Sequence, residues 1–491
     1  MNYKGIIQKK ILFTDYFNIP AGDISWMDPF GKSVDYKNVQ RDICSLHVQD
    51  YAIPKGIAIK VNIATKSEPF IIGSTDCYLC INSLIHEGGL YRGWYYSADH
   101  AFYAESKDGF NWYRPSFKKY EIDGSNENNA VFGLSSTNGQ KFIQGLGVFY
   151  DPNGKSNEKY KMIYTAYPPE EDKPALWKDF HETNRLYQNS NIADGFLTCI
   201  YGAVSEDGID WKPIKHPLLI HYGDTLNTIN YDMIIKKYVL YTRDYPRGRR
   251  IISRAESEDF YNWGPVMPLI VPETSGSPSQ DIYTNGFTEY PGEPGIKLMF
   301  PMFYERYNQT SLVKMYSSHE GLIWNEVPGG PILSPGLPGE WDSEYICPGT
   351  GLVPIGQEKI GFLYCGSDYP HKFPRWKHVL QSMQKNAWAW WPEGRLSCVY
   401  AEREGSFCTF PLMPCGRNLC INYRTLKSGF IKIGIEAVKS RGTNECDILE
   451  GNELRRIVTW NGSADIGVTD NEAVILHVEM RSAELYSLEW I

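Results

Sequence analysis

At 491 residues with a net charge of −9 and 14% aromatic side chains, the chain exceeds one ordinary core and suits a large β-architecture plus a smaller companion domain. The acidic balance, with no concentrated basic surface, excludes nucleic acid as a partner, because phosphate binding needs clustered Lys and Arg. No apolar run reaches the length of about eighteen residues that a membrane-spanning helix requires. Residues 1–12 carry no apolar export segment, so a cytoplasmic protein is expected.

Residues 1–69 lack the pattern that organises the rest, although 56–63 (GIAIKVNI) alternate like a strand. They are expected to form an N-terminal arm that supplies an edge strand or closes a ring. From residue 70 onward a repeat appears, an apolar strand followed by Ser-x-Asp-Gly-x-x-Trp. It is complete at Ser106–Trp112 and Ser205–Trp211, and degenerate at Ser257–Trp263 and Ser318–Trp324. A poorer fifth candidate occupies 387–394. Gly tolerates positive φ in the turn, Asp bonds the local backbone, and Trp packs over the hairpin. A second strand is expected ahead of each hairpin, at 90–97, 160–166, 238–243, 296–304 and 359–366. Four strands per unit, five times over, predict an all-β five-bladed β-propeller over 70–393. Beyond 394, alternating runs at 419–423, 430–437, 456–460 and 474–480 predict a C-terminal β-sandwich over 394–491.

The eleven cysteines are odd in number and lie mostly in apolar runs, which predicts unbridged, buried thiols. Cys77 and Cys80 have metal-type spacing, but no second Cys or His pair lies nearby. No metal and no cofactor is expected.

The stretch Leu90-Tyr-Arg-Gly-Trp-Tyr-Tyr96, the 103–112 hairpin, Asn128-Asn-Ala-Val131 and 224–243 resemble the five-bladed β-propeller glycoside hydrolases of families 32 and 43. The segment 452–490 is similar to the β-sandwich that follows such propellers. Two motifs depart from the family 32 pattern. Thr242-Arg-Asp-Tyr-Pro246 looks like Arg-Asp-Pro but falls just after its repeat's second strand. Asp151-Pro-Asn-Gly154 has the letters of the nucleophile motif but sits in a loop between a first and a second strand.

In a propeller, the start of each innermost strand and the loop after each second strand share one mouth. The strand starts are Asp76, Gln144, Asp224 with Asn227, Asp281, and Asp342 with Glu344. The loops contribute Asp99 and His100, 170–172, Arg243 and Asp244, Glu305 and Arg306, Asp368 and His371. Glycoside hydrolysis needs two carboxyl groups, one acid and one nucleophile or base. Asp224, Asp281 and Glu344 occupy equivalent places and are the catalytic candidates, with Glu344, among apolar neighbours, as the acid. Substrate binding is assigned to Arg243, Asp244, Asp342, Glu305, His371 and Asn227. Trp94, Tyr95, Tyr245, Tyr304, Tyr345, Tyr369 and Trp376 are candidates for stacking on sugar rings.

The expected function is hydrolysis of short oligosaccharides or glycosides, furanosides among them. A phosphorylase-like reaction is the alternative enzyme, kept open by Arg243, Arg247, Arg249 and Arg250. A carbohydrate-binding propeller without catalysis is the other alternative.

Overall fold

The structure is a computed structural model that describes residues 9–20, 26–27, 33–34, 54–71, 81–97, 99–137, 139–183, 197–273, 276–371, 385–468 and 472–491. The protein is nearly all β, with one α-helix among the described residues, Lys173–Thr183. Two compact units are present. One comprises Ile63–Glu326 and Pro331–Trp391, the other Met1–Asn62, Val327–Gly330 and Pro392–Ile491.

The larger unit repeats an antiparallel sheet in which sequence neighbours pair. The first sheet runs Ser83–Glu87, Leu90–Ser97, His100–Ser106, Trp112–Tyr113, and the second Lys141–Tyr150, Tyr160–Tyr167, Cys199–Ser205, Trp211–Pro213. The third is built from Thr228–Asp232, Lys237–Asp244, Ile251–Ser257 and Met267–Ile270. In the fourth repeat each of the first three strands is interrupted, so Gln280–Thr284 and Phe287–Tyr290 head two separate ladders. Pro301, between Glu293–Met299 and Met302–Glu305, removes a ladder donor at the break.

The Ser-x-Asp-Gly-x-x-Trp segment forms the turn between third and fourth strands. Asp108 Oδ1 accepts the backbone N–H groups of Phe110 and Asn111 at 2.8 and 2.7 Å, and Gly109 takes φ +81°. The Gly109 carbonyl then accepts the indole N–H of Trp112 at 2.9 Å and of Trp388, from the fifth repeat, at 3.0 Å. The second copy does the same, its Gly208 carbonyl accepting Trp211 and Trp94 at 3.0 and 2.8 Å. Trp94 is thus core rather than sugar platform. In the third copy Phe260 replaces Gly and still adopts φ +74°.

The fifth repeat has no such turn. Its strands Tyr345–Pro348, Lys359–Ser367 and Lys385–Pro392 are completed by Thr65–Lys66 and Phe70–Ile71, which pair with Lys385–Pro392. The run 387–394 is therefore a third strand whose neighbour comes from the start of the unit.

The first strands touch in sequence. Ser83 Oγ accepts the N–H of Val148 at 2.8 Å, Asn227 Nδ2 donates to the Gly145 carbonyl at 3.0 Å, and Thr228 Oγ1 donates to Asn285 Oδ1 at 2.7 Å. Leu352 N–H donates to Thr288 Oγ1 at 3.3 Å, and Leu84 N–H to the Thr350 carbonyl at 3.0 Å, which returns to the first repeat. Glycine makes this approach possible. A Cβ at Gly147 would stand 2.3 Å from the Asn227 carbonyl oxygen, and one at Gly351 2.1 Å from that of Leu84. Buried Trp94, Tyr103, Met162, Tyr164 and Tyr201 fill the space between the first and second sheets.

In the smaller unit, Leu419–Ile435 and Leu476–Trp490 pair along most of their length, flanked by Asn452–Ile457 and Ser397–Cys408, with Ala58–Val61 beyond. The two short strands expected at 419–423 and 430–437 are one strand. Its register shifts between Thr425 and Phe430, where Ser428 adopts φ +63°. Cys199, Cys398, Cys420 and Cys446 are free, buried thiols.

Candidate active site

The starts of the first strands of the second to fifth repeats, and the ends of the second strands, converge on charged and phenolic side chains. Arg243 and Asp244 close the strand Lys237–Asp244 rather than lying beyond it. Arg243 is buried, and its guanidinium spends nearly every donor. Nη1 contacts Asp224 Oδ2 at 2.5 Å, Nη2 donates to Thr225 Oγ1 at 2.7 Å, and Nε donates to the Tyr283 carbonyl at 3.0 Å. The plane also stacks on the Tyr283 ring, 4.0 Å from its centroid. Such pinning fixes the cation as a template for its carboxylate partner.

Asp224 accepts two further bonds, from Tyr245 Oη at 2.6 Å on Oδ2 and from Gln144 Nε2 at 3.0 Å on Oδ1. Its side chain keeps 22% exposure, against 2% for Arg243. Asp224 thus pairs with a buried cation while remaining open to a ligand. Burial pushes the Tyr245 phenol upward, so it acts as a neutral donor. His221, buried and held down to about 4 by desolvation, is neutral and donates Nε2–H to the Arg243 carbonyl at 2.8 Å.

The neighbouring carboxylate, Asp281, is fully buried and bonded at both oxygens. Oδ1 accepts the Arg250 backbone N–H at 3.0 Å, and Oδ2 contacts Arg250 Nη1 at 2.8 Å and Arg306 Nε at 3.4 Å. Arg250 lies over the rings of Tyr245 and Tyr283, at 5.4 and 5.0 Å. Asp342 is also buried, its Oδ2 accepting Lys66 Nζ at 2.7 Å and Tyr364 Oη at 3.0 Å. Asp244 accepts the Tyr245 N–H at 2.6 Å and Ser253 Oγ at 3.2 Å; desolvation raises it to about 6 against those two bonds.

His371 joins the fourth and fifth repeats. It stacks on Tyr345 (4.5 Å, 7°), lies edge-on to Tyr304 and shares a 2.9 Å hydrogen bond with Tyr283 Oη. Burial pushes the Tyr304 phenol up to about 12. Glu344 precedes Tyr345, is half-buried, and has its backbone N–H on the Ser367 carbonyl at 3.0 Å. Glu305 ends the strand Met302–Glu305, half-buried, with Oε1 enclosed and unpartnered among the described residues. Asn227 is fully buried, its amide used on Gly145, Thr165 and Thr242.

The structure therefore links Asp224, Arg243, His371 and Asp281 through Tyr283, Tyr245 and Arg250; Glu344 precedes Tyr345 in the chain, but its carboxylate makes no hydrogen bond or ion pair to this set among the described residues. Tyr283 and Lys66 were not among the sequence candidates. Tyr283 follows Asp281 by two positions, the strand period that returns a side chain to the same face, and that spacing was the available signal. Asp76 and Trp376 lie outside the described residues. Asp151, in the loop between Lys141–Tyr150 and Tyr160–Tyr167, is consumed by Lys161 and Tyr238. Among the described residues no group of three or more His, Cys, Asp and Glu side chains is placed to hold a metal ion.

An all-β protein with carboxylates, guanidiniums and phenols gathered at the starts of successive strands is the class that these observations define. No protein-family profile matches the chain, and no curated protein is detectably similar to it in sequence. Similar solved structures include an N-acetylgalactosamine deacetylase from F. plautii at 12% identity, covering 69% of this chain and 96% of that one, with a TM-score of 0.43. A Bombyx mori GH32 β-fructofuranosidase has 11% identity, coverage of 88% and 94%, and a TM-score of 0.37. For an exo-β-1,3-galactanase from Phanerochaete chrysosporium the values are 10%, 98% and 99%, and 0.36. Glycoside hydrolases thus recur among the structural neighbours. At such scores the functional reading rests on this chain's own residues.

Proposed function

We propose that the chain is a glycoside hydrolase of short oligosaccharides or glycosides, built as a five-bladed β-propeller over 70–393 with a C-terminal β-sandwich over 394–491. The propeller reading is supported by the circuit of contacts among first strands, which returns from Thr350 to Leu84. The observation that carries the chemistry is Asp224, a partly exposed carboxylate locked between Arg243, Tyr245 and Gln144. Arg243 supplies its counter-charge, so Asp224 serves as the ionised member, nucleophile or base, of a carboxyl pair.

Glu344 is the other member. It is half-buried, joins no ion pair among the described residues, and is assigned the role of the acid that delivers a proton to the leaving oxygen. Asp281 and Asp342, buried and ion-paired, act through Arg250 and Lys66 as positioning residues in place of the proton-transfer and binding roles that the sequence pattern suggested. Arg243 and Asn227 hold Asp224 and its strand. His371, Asp244 and Glu305 line or brace the mouth.

Glu344→Gln tests the assignment. On substrates with poor leaving groups activity falls by about 10²-fold or more, and on activated aryl glycosides the loss is much smaller, because a good leaving group needs little protonation. Equal losses on both would make Glu344 a nucleophile or binding residue. Full activity on both removes it from the site. Turnover that depends on added phosphate would replace hydrolysis by phosphorolysis.

A further inference from the structure

Two guanidiniums share one carboxylate at the edge of the cluster. Arg250 Nη1 and Arg306 Nε both contact Asp281 Oδ2, at 2.8 and 3.4 Å. Asp281 is fully buried and neutralises one of them, so a positive charge is left over. Among the described residues, Arg250 makes no side-chain hydrogen bond other than Nη1 to Asp281; its Nε is enclosed without a partner there, and its Nη2 is unbonded. Nε and Nη2 form one edge of the guanidinium, the edge that meets a carboxylate through two parallel bonds.

That edge is held in place before any ligand arrives. The Arg250 plane is flanked by Tyr245 and Tyr283, and its own backbone N–H is tied to Asp281 Oδ1. An enclosed N–H without an acceptor is destabilising, and a ligand oxygen that reaches it relieves that cost. Arg306, anchored through the Pro278 and Ser279 carbonyls, keeps 41% exposure and marks the solvent side. The same tyrosines touch Arg243 and Asp224, so an anion bound here adjoins the proposed reaction centre.

We infer that Arg250 and Arg306 form an oxyanion subsite that takes the carboxylate of an acidic sugar, a uronic acid residue of the substrate. The inference rests on the glycoside-hydrolase reading. One uncompensated positive charge and a planar two-donor edge match a carboxylate monoanion, whereas inorganic phosphate is tetrahedral and partly a dianion at neutral pH.

The experiment measures binding of glucuronic and galacturonic acid, glucose and galactose, and inorganic phosphate to the full chain by calorimetry, beside hydrolysis of neutral and uronic aryl glycosides. The wild type is expected to bind an acid about ten-fold or more tighter than its neutral counterpart. Arg250→Gln and Arg306→Gln each reduce the acid to the neutral sugar's affinity, and Arg250→Lys recovers only part of the preference, because it restores charge without the fork. Arg250→Gln leaves Asp281 short of a partner; should it misfold, the half-exposed Arg306→Gln decides. Equal affinity for acid and neutral sugars, with neutral glycosides hydrolysed, overturns the inference and leaves the hydrolase reading standing. Preference for phosphate over every uronate also overturns it. Uronate preference lost in the variants without hydrolysis of any glycoside upholds the subsite and overturns the hydrolase reading.

Discussion

The two ends of the repeating unit use the same residue types in opposite ways. In the outer turns Asp108 and Asp207 are satisfied within three residues, by the backbone N–H groups that follow them and by Ser106 or Ser205. At the starts of the first strands, Asp224 and Asp281 take partners distant in sequence, Arg243 with Tyr245 and Gln144 in one case, Arg250 with Arg306 in the other. A locally satisfied aspartate closes a turn and has no demand left. An aspartate satisfied from several elements depends on the whole architecture; Asp224 itself stays partly exposed, and Arg250, the partner of Asp281, keeps donors for a ligand. On the proposed reading, the difference distinguishes the carboxylates that close turns from those placed at the candidate site.

The largest expected effect concerns the turns. Trp388 is fully buried and its indole N–H bonds the Gly109 carbonyl of the first repeat's turn. Trp388→Ala should cost about 3–5 kcal/mol in chemical denaturation; a loss below about 1 kcal/mol would show that the turn carbonyls do not tie the repeats together.

The inner end is sharpened by Asp244, which desolvation raises to about 6. With the folded value above the unfolded one, its protonated form is favoured by folding, and an unfavourable contribution grows as pH rises from about 4 through 6. Asn reproduces the protonated shape, so Asp244→Asn should gain stability over the wild type above pH 6 and lose that gain below pH 4. A pH-independent difference between the two melting curves would break the assignment.

The smallest effect belongs to Asp108. Burial raises it, but hydrogen bonds from Asn111, Phe110 and Ser106 outweigh that and hold the carboxyl below its usual 3.8. Its contribution is present above the unfolded value and is lost as pH falls through the folded one. Relative to Asp108→Asn, the wild type should be modestly more stable at pH 7, and the two should converge in acid. An advantage of the same size at pH 7 and in strong acid would contradict the bonding described.

Much of this was legible in the residues and some was not, for reasons that differ by element. The turns are visible because Asp, Gly and Trp are demanded at fixed offsets by local geometry. The fifth repeat was poorly visible because its last strand, at Thr65–Ile71, lies more than three hundred residues from its partner. Lys173–Thr183, which follows the return loop assigned at 170–172, has a weak apolar stripe and no acidic residue in its first turn; its start signals, Asp172 just before it and Pro174 within its first turn, also suit a loop. Lys427-Ser428-Gly429 suggests a turn and instead makes a bulge inside Leu419–Ile435. For the site, strand starts and strand ends could be enumerated. Which cation meets which carboxylate could not, since Arg243 and Arg250 are seven residues apart and choose partners through the register of different strands.

The most direct test crosses the two ends of the repeat. Asp224→Asn and Asp108→Asn are assayed together for glycoside hydrolysis and for thermal unfolding. The account predicts that Asp224→Asn loses about 10²-fold or more in activity while melting near the wild type, and that Asp108→Asn melts lower with activity intact below its transition. Activity retained by Asp224→Asn and abolished in folded Asp108→Asn would contradict it.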